Sequence, residues 1–389
     1  MSFHRGSRLA DAAAVGSAIV LFSVFAATVG NATVFATLGL FGRGIGLSEI
    51  EVGAIFASSA LLFFLTSSHW GRLSDRIGRM PVMVAGLSGT AVSLFLFAGL
   101  YWASWSGALI GLLVARVIYG LLAGGIQPAA IAIMADTTTA EERTAAVALV
   151  GAAVGVGSIA GPILAAALIG FGLAVPVAAA GAVIALAAVA TVFGLRDGRQ
   201  RPAAASATVP SADGLRPYLV LAFAMVLGFG ALQPTTAFYV QDRFHLDTAV
   251  AIRNTSLASA SFAAGSFIVQ AFLVRALALR SRALLRFGLA ICLLGIGGGV
   301  LAPASGWLIA AFAVLGTGYG LAQSGLTAAA SVIGGAHRQG HVAGRLQAAM
   351  SAAWIVGALG GAALYAFSIK GPLLLAAAGM AFALAQIRR

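Results

Sequence analysis

Lysine, cysteine and acid are all nearly missing from this sequence. Its 389 residues hold one lysine, Lys370, and one cysteine, Cys292. A phosphate loop needs a lysine within a glycine-rich turn, and Lys370 stands in none, so nucleotide hydrolysis by this chain alone is not expected. One cysteine in an apolar run excludes an intrachain disulfide and a thiolate zinc site. Charged residues make up only 9% of the chain, whereas a soluble domain keeps about 25%. No His–carboxylate set has ligand spacing and no nucleophile elbow is present, so neither an enzyme, a metal site nor a cofactor is expected. The net charge of +12 and pI near 11.3 invite a nucleic-acid reading. The arginines are scattered between apolar runs with no aromatic interleaving, and that distribution argues against it.

Apolar length is what the sequence has in excess. Hydrophobic residues reach 60%, mean hydropathy is +1.00 and glycines number 50. A helix crosses the hydrocarbon core with about 20 apolar residues. That ruler places spans near 12–40, 50–68, 82–102, 107–135, 145–170 and 174–195, then 217–240, 249–274, 284–303, 306–334, 344–367 and 370–387. The first run is too long for a secretion signal and lacks a small-residue cleavage pattern, so it reads as a span that stays. The predicted fold is therefore an all-α membrane protein of twelve transmembrane helices.

Cytoplasmic loops are richer in basic residues. With both termini inside, 18 arginines fall on the inner side. Arg43, Arg243, Arg253 and Lys370 fall outside and Arg116 within a span, which accounts for all 23 basic residues. The stretch 197–216 is rich in Ala, Ser and Pro without periodicity and reads as a cytoplasmic linker. It divides an N-terminal six-helix bundle, 1–196, from a C-terminal one, 217–389. The two halves echo each other: TAEERTAAVALVGAAVGVGSIAG in the first parallels RQGHVAGRLQAAMSAAWIVGALG in the second. Such repeats characterise alternating-access transporters.

Three motifs sharpen this. Gly71-Arg-Leu-Ser-Asp-Arg-Ile-Gly-Arg79 follows the second span, and Gly71, Asp75, Arg76, Gly78 and Arg79 resemble the loop signature of the major facilitator superfamily. Met80 stands where a final basic residue is usual. Arg116-Val-Ile-Tyr-Gly120, continuing to Gly124-Gly-Ile-Gln-Pro128, resembles the family's second signature. Gly151, Gly155, Gly157, Gly161 and Pro162 resemble the third, found chiefly in exporters that exchange substrate for protons. The resemblance, to twelve-helix drug:proton antiporters, implies roles for these residues. The first loop, with Asp136 as its acid partner, would act as a conformational latch. Arg116 would carry proton coupling or set the cavity charge; a snorkelling anchor is the alternative. The glycine motif points to export.

The first and fourth spans of each half line the cavity in that fold, which nominates Asn31, Phe35, Gln127, Gln233, Phe238, Tyr239 and Gln323, with Trp354 beside them. Amides and rings suit small amphipathic molecules. No Asp or Glu falls within a membrane core, unlike many drug–proton exchangers, which leaves the coupling residue open. Asp242 is the most notable remaining acid, read as structural at a helix end. The expected protein is a proton-coupled secondary exporter in the bacterial inner membrane, acting as a monomer. Its partners would be lipid, protons and a small-molecule substrate. A dedicated exporter of one endogenous metabolite is the alternative.

Overall fold

The computed structural model describes residues 3–103, 107–139, 142–195, 214–277 and 279–387, and among these every regular element is helical. In order they are α1 (Phe3–Gly44), α2 (Glu49–Ile77), α3 (Arg79–Ala103), α4 (Ala108–Leu122), α5 (Ile126–Thr137), α6 (Arg143–Leu168) and α7 (Val175–Gly194). Then come α8 (Arg216–Phe244), α9 (Thr248–Ile268), the short α10 (Val274–Leu277), α11 (Ser281–Val300), α12 (Trp307–Phe367) and α13 (Gly371–Ile387). Among the described residues eleven segments are long and apolar enough to cross a membrane, and Gly371–Ile387 is a shorter apolar helix. Helices prevail because hydrocarbon offers no partner for backbone polar groups, so each must be satisfied within its own segment. Outward-facing apolar side chains such as Phe193 and Phe367, 85% and 90% exposed, suit lipid rather than water. The chain is a multi-pass membrane protein.

The departures from the expected spans have local causes. The span expected at 107–135 breaks into α4 and α5 at a 3₁₀ turn, Ala123–Gly125. Pro128 cannot donate an N–H to Gly124 and its ring crowds that carbonyl, so the regular ladder fails there. The disturbed carbonyls are captured from α2: Thr66 donates to Gly120 O at 3.0 Å, and Trp70 Nε1–H donates to Leu121 O. Gly124 and Gly125 permit the approach, since a Cβ on Gly124 would lie 3.2 Å from the Ser67 Cα. Between α9 and α10 the helix widens into a π turn at Val269–Leu273. The spans expected at 306–334 and 344–367 are not separated by a loop, because α12 continues as helix through both.

Two compact units are present. Unit 1 comprises Met1–Thr33, Leu62–Gly161 and Ala174–Ala205; unit 2 comprises Val34–Leu61, Pro162–Leu173 and Ser206–Arg389. The divisions at 33/34, 61/62 and 161/162 fall inside α1, α2 and α6. Residues 196–213, which hold most of the expected linker, lie outside the described residues. Within unit 1 a buried hydroxyl pair, Ser23 and Thr191 at 2.9 Å, ties α1 to α7. Within unit 2 glycines bring backbones together: a Cβ on Gly318 of α12 would lie 2.5 Å from Cys292 N of α11. Small residues at such crossings allow the close packing that holds membrane helices together without a hydrophobic drive.

Candidate functional site

The first signature is mostly helix rather than loop. Its residues through Ile77 complete α2, and only Gly78, with φ +106°, turns the chain into α3. An L side chain rarely adopts that φ, which is why glycine stands there. At this corner Arg79 Nε–H donates to Asp136 Oδ2 at 2.9 Å and its Nη1 to Asp75 Oδ1 at 3.2 Å. Arg79 thus joins the start of α3 to the ends of α2 and α5 within unit 1. Arg76 is exposed, and a Cβ on Gly71 would meet open space, so no close approach requires glycine there.

The glycine motif separates along α6. Gly157 and Gly161 lie against α1: an added Cβ would come 2.9 Å from Phe25 O at the first and 2.6 Å from Val29 O at the second. Thr33 Oγ1–H donates to Gly161 O at 3.1 Å, fastening the same crossing. Gly151, by contrast, is exposed and faces open space. Pro162 sits inside α6 directly after the crossing.

Beside this crossing unit 1 holds a cavity of about 260 Å³, lined by Val24, Ala27, Thr28, Asn31, Phe63, Thr90, Tyr119, Ala123, Ile126, Gln127, Val154 and Ser158. Asn31 and Gln127 were expected there; Phe63, Tyr119 and Ser158 were not singled out. The rings of Phe63 and Tyr119 stack with centroids 6.4 Å apart. Arg116 is 3% exposed, with its guanidinium carbon 4.4 Å from the centroid of the Tyr119 ring. A snorkelling anchor would carry its head to the interface, and this burial excludes that alternative. The cation instead rests on an aromatic face.

The other nominated cavity residues lie in unit 2, and two of them are packed inside it. Phe238 is fully buried and Tyr239 is 4% exposed. Phe238 packs under Arg43 and against Tyr365, while Tyr239 donates its hydroxyl to Gly299 O at 3.0 Å. Both were nominated by position on the first span of the second half, and in this structure both are enclosed by neighbouring helices. Phe35 and Trp354 join an aromatic cluster, with Phe35 centroids 4.9 Å from Phe56 and 5.3 Å from Trp354. Phe229 extends it, 6.0 Å from Trp354 and 5.0 Å from Phe262. Gln233 is half-buried, and Gln323 reaches the Met350 sulfur at 3.9 Å.

The most elaborate polar constellation was missed by sequence reasoning. Arg43, at the end of α1, donates from Nη1 to Asp242 Oδ1 at 2.6 Å and to Gln241 Oε1 at 2.9 Å. Its Nη2 donates to Asp242 Oδ2 at 3.1 Å and to Glu49 at the start of α2. Tyr365 of α12 donates its hydroxyl to Asp242 at 2.6 Å, and the Arg43 guanidinium lies 4.5 Å from the Phe238 ring centroid. Below it Gly39 packs on α8, where a Cβ would meet Pro234 O at 3.3 Å; Gly53 packs on α12, where a Cβ would meet Ala358 O at 3.0 Å. The available signal was position: Arg43 and Asp242 stand at the ends of the first spans of the two halves.

A sequence profile of the Major Facilitator Superfamily matches residues 20–358. Multidrug resistance protein 2 of Bacillus subtilis (strain 168) is 32% identical over 190 residues, which is 46% of this chain and 43% of that one. Multidrug resistance protein 1 of the same organism is 28% identical over 253 residues, 62% of this chain and 63% of that one. The aligned parts thus span less than two thirds of either relative. Among solved structures, the nucleoside transporter NupG superposes with a TM-score of 0.76 at 11% identity, covering 96% of this chain and 98% of that one. At that identity the likeness concerns the fold alone.

Proposed function

The chain belongs to the major facilitator superfamily, and from that premise we propose that it is a secondary active transporter working by alternating access. Its cargo is small amphipathic compounds, moved outward at the expense of the proton gradient. The observation that carries the reading is the cavity among α1 to α6, where amides, hydroxyls and stacked rings converge inside segments long enough to span a membrane. Such mixed lining binds by stacking and adaptable hydrogen bonding. The relatives whose names denote multidrug resistance support the cargo class.

In this reading the sequence halves 1–196 and 217–389 form the two bundles, joined by 197–216, with both termini cytoplasmic. Arg79, Asp75 and Asp136 form the inner latch. Arg43, Glu49, Asp242 and Tyr365 close the outer end, because they fasten the ends of α1 and α2 to α8 and α12 and must part when that end opens. Arg116 biases protonation and the potential of the cavity. The glycine crossing of α6 on α1 gives a smooth face for sliding.

The decisive experiment uses the purified chain, as a single polypeptide, in liposomes with an imposed pH difference. An amphipathic fluorescent compound should accumulate against its gradient without ATP, and an ionophore that collapses the pH difference should stop it. Accumulation indifferent to the pH difference would remove proton coupling. No movement of any compound would remove the transporter reading. A reporter after Arg199 should be cytoplasmic and one near Gly44 external; both on one side would overturn the topology.

A further inference from the structure

We infer that the unit 1 cavity selects its ligands by their hydrogen-bond donors rather than by positive charge, with Asn31 as the principal specificity-determining acceptor. The ligand class is uncharged one- or two-ring aromatic compounds carrying O–H or N–H groups. This rests on the transporter reading for its biological sense, but it concerns recognition in the cavity itself.

The lining sets the terms. Its twelve residues include no Asp, Glu, Lys, Arg or His, so a ligand in contact with the wall meets no carboxylate to reward an ammonium group. The hydroxyls on the α1–α6 side have already committed their hydrogens. Thr28 donates to Val24 O at 2.8 Å and Ser158 to Val154 O at 2.9 Å. A hydroxyl that has spent its one hydrogen on the preceding helical turn can offer a ligand only lone pairs. Asn31 lines the cavity and adds a stronger demand, since its Oδ1 has no hydrogen-bond partner; that oxygen is closed to water in this structure, and a turn of the amide brings it to a ligand. A buried acceptor left unmade is costly, and a ligand that supplies the missing donor recovers that cost. Gln127 and the Tyr119 hydroxyl can both donate and accept, so they do not reverse the preference.

Shape narrows the class further. The stacked pair Phe63 and Tyr119 supplies a flat aromatic wall, which suits a planar ring. A volume of about 260 Å³ falls just below the usual range of ligand cavities, about 300 to 1,000 Å³. One or two rings fill it. A site built to receive a hydroxyl discriminates against the analogue that lacks it, because its own acceptors are then stranded.

The test compares three probes on one scaffold: a hydroxylated two-ring aromatic, its methyl ether, and its quaternary-ammonium analogue. Equilibrium binding is measured on the purified full chain in lipid nanodiscs, and flux in liposomes. The hydroxylated probe should bind about tenfold more tightly than its ether, the scale of one buried hydrogen bond, and the ammonium probe should bind no better than the ether. Asn31→Leu, which keeps the bulk and removes the acceptor, should bring the hydroxyl and ether probes to within about twofold of each other. Ser158→Ala, which removes a smaller share, should narrow the gap about threefold and serves if the first variant does not fold. Equal binding of hydroxyl and ether probes by the wild-type chain, tightest binding of the ammonium probe, no binding of any probe, or undiminished discrimination in both variants would each overturn the inference. Discrimination in binding without flux would refute the transporter reading and leave this one standing; flux without discrimination would do the reverse.

Discussion

Two arginines in this protein occupy opposite surroundings. Arg43 is about a quarter exposed and lies among two carboxylates, an amide oxygen and a phenyl face. Arg116 is almost wholly buried against the ring of Tyr119, one residue deep behind a cavity wall. The first arrangement uses the planar fork of the guanidinium to tie helices together, with two of its bonds going to one carboxylate. The second holds a cation against an aromatic face just behind the cavity wall. The same side chain therefore fastens helices together in unit 2 and stacks on a ring in unit 1, where the proposed function has it set the potential of the cavity. The helix α1 takes part in both, lining the cavity through Val24 to Asn31 and ending at Arg43.

Substitutions can break or sharpen this contrast. The largest effect is expected at Arg116. Arg116→Ala should reduce gradient-driven flux at least about tenfold, the equivalent of some 1.4 kcal/mol or more on the barrier, while Arg116→Lys should retain part of it. Flux at the wild-type level in Arg116→Ala would show that the buried cation is only packed there. Arg43→Ala should act first on stability. It leaves Asp242 and Glu49 facing each other without their cation, at a cost of about 1–3 kcal/mol once partial exposure is allowed for. Thermal unfolding in detergent reads this, and an unchanged midpoint would deny the fastener.

A tighter version tests the glycine crossing of α6 on α1, beside the cavity. Gly161→Ala drives a methyl into the Val29 carbonyl and should cost about 1–3 kcal/mol. Gly151→Ala, on the same helix but facing open space, should change stability by less than about 0.5 kcal/mol. If the two variants behave alike, the close approach at Gly161 is not what holds α6 to α1. Tyr365→Phe is the smaller probe of the Arg43 cluster, since it removes one hydrogen bond to Asp242 and leaves the ion pair. About 1 kcal/mol is expected, and a loss equal to that of Arg43→Ala would make the tyrosine, rather than the arginine, the hub.

Fold and membrane character were legible because they depend on composition and on length of apolar runs. Hydrocarbon admits only helices of about 20 residues or closed barrels, so the spans could be counted before any contact was known. The break beside Pro128 and the turn at Gly78 follow from local backbone chemistry, yet the expected spans did not include them. The site was legible in part. Asn31 and Gln127 were nominated by position on the first and fourth spans, whereas Phe238 and Tyr239, nominated on the same ground, turned out to be packed inside unit 2.

What the sequence determined by itself is the set of apolar helices and the scarcity of charge within them. These follow from bonds between near neighbours and from the free energy of placing each side chain in lipid. Tertiary structure alone decided which face of each helix meets which partner. Arg43 and Asp242 are 199 residues apart, and nothing local to either specifies the other. Their meeting depends on how close the small residues Gly39 and Gly53 let whole helices approach. The same holds for Asn31, whose value as an acceptor arises only because packing buried its oxygen and brought no donor to it.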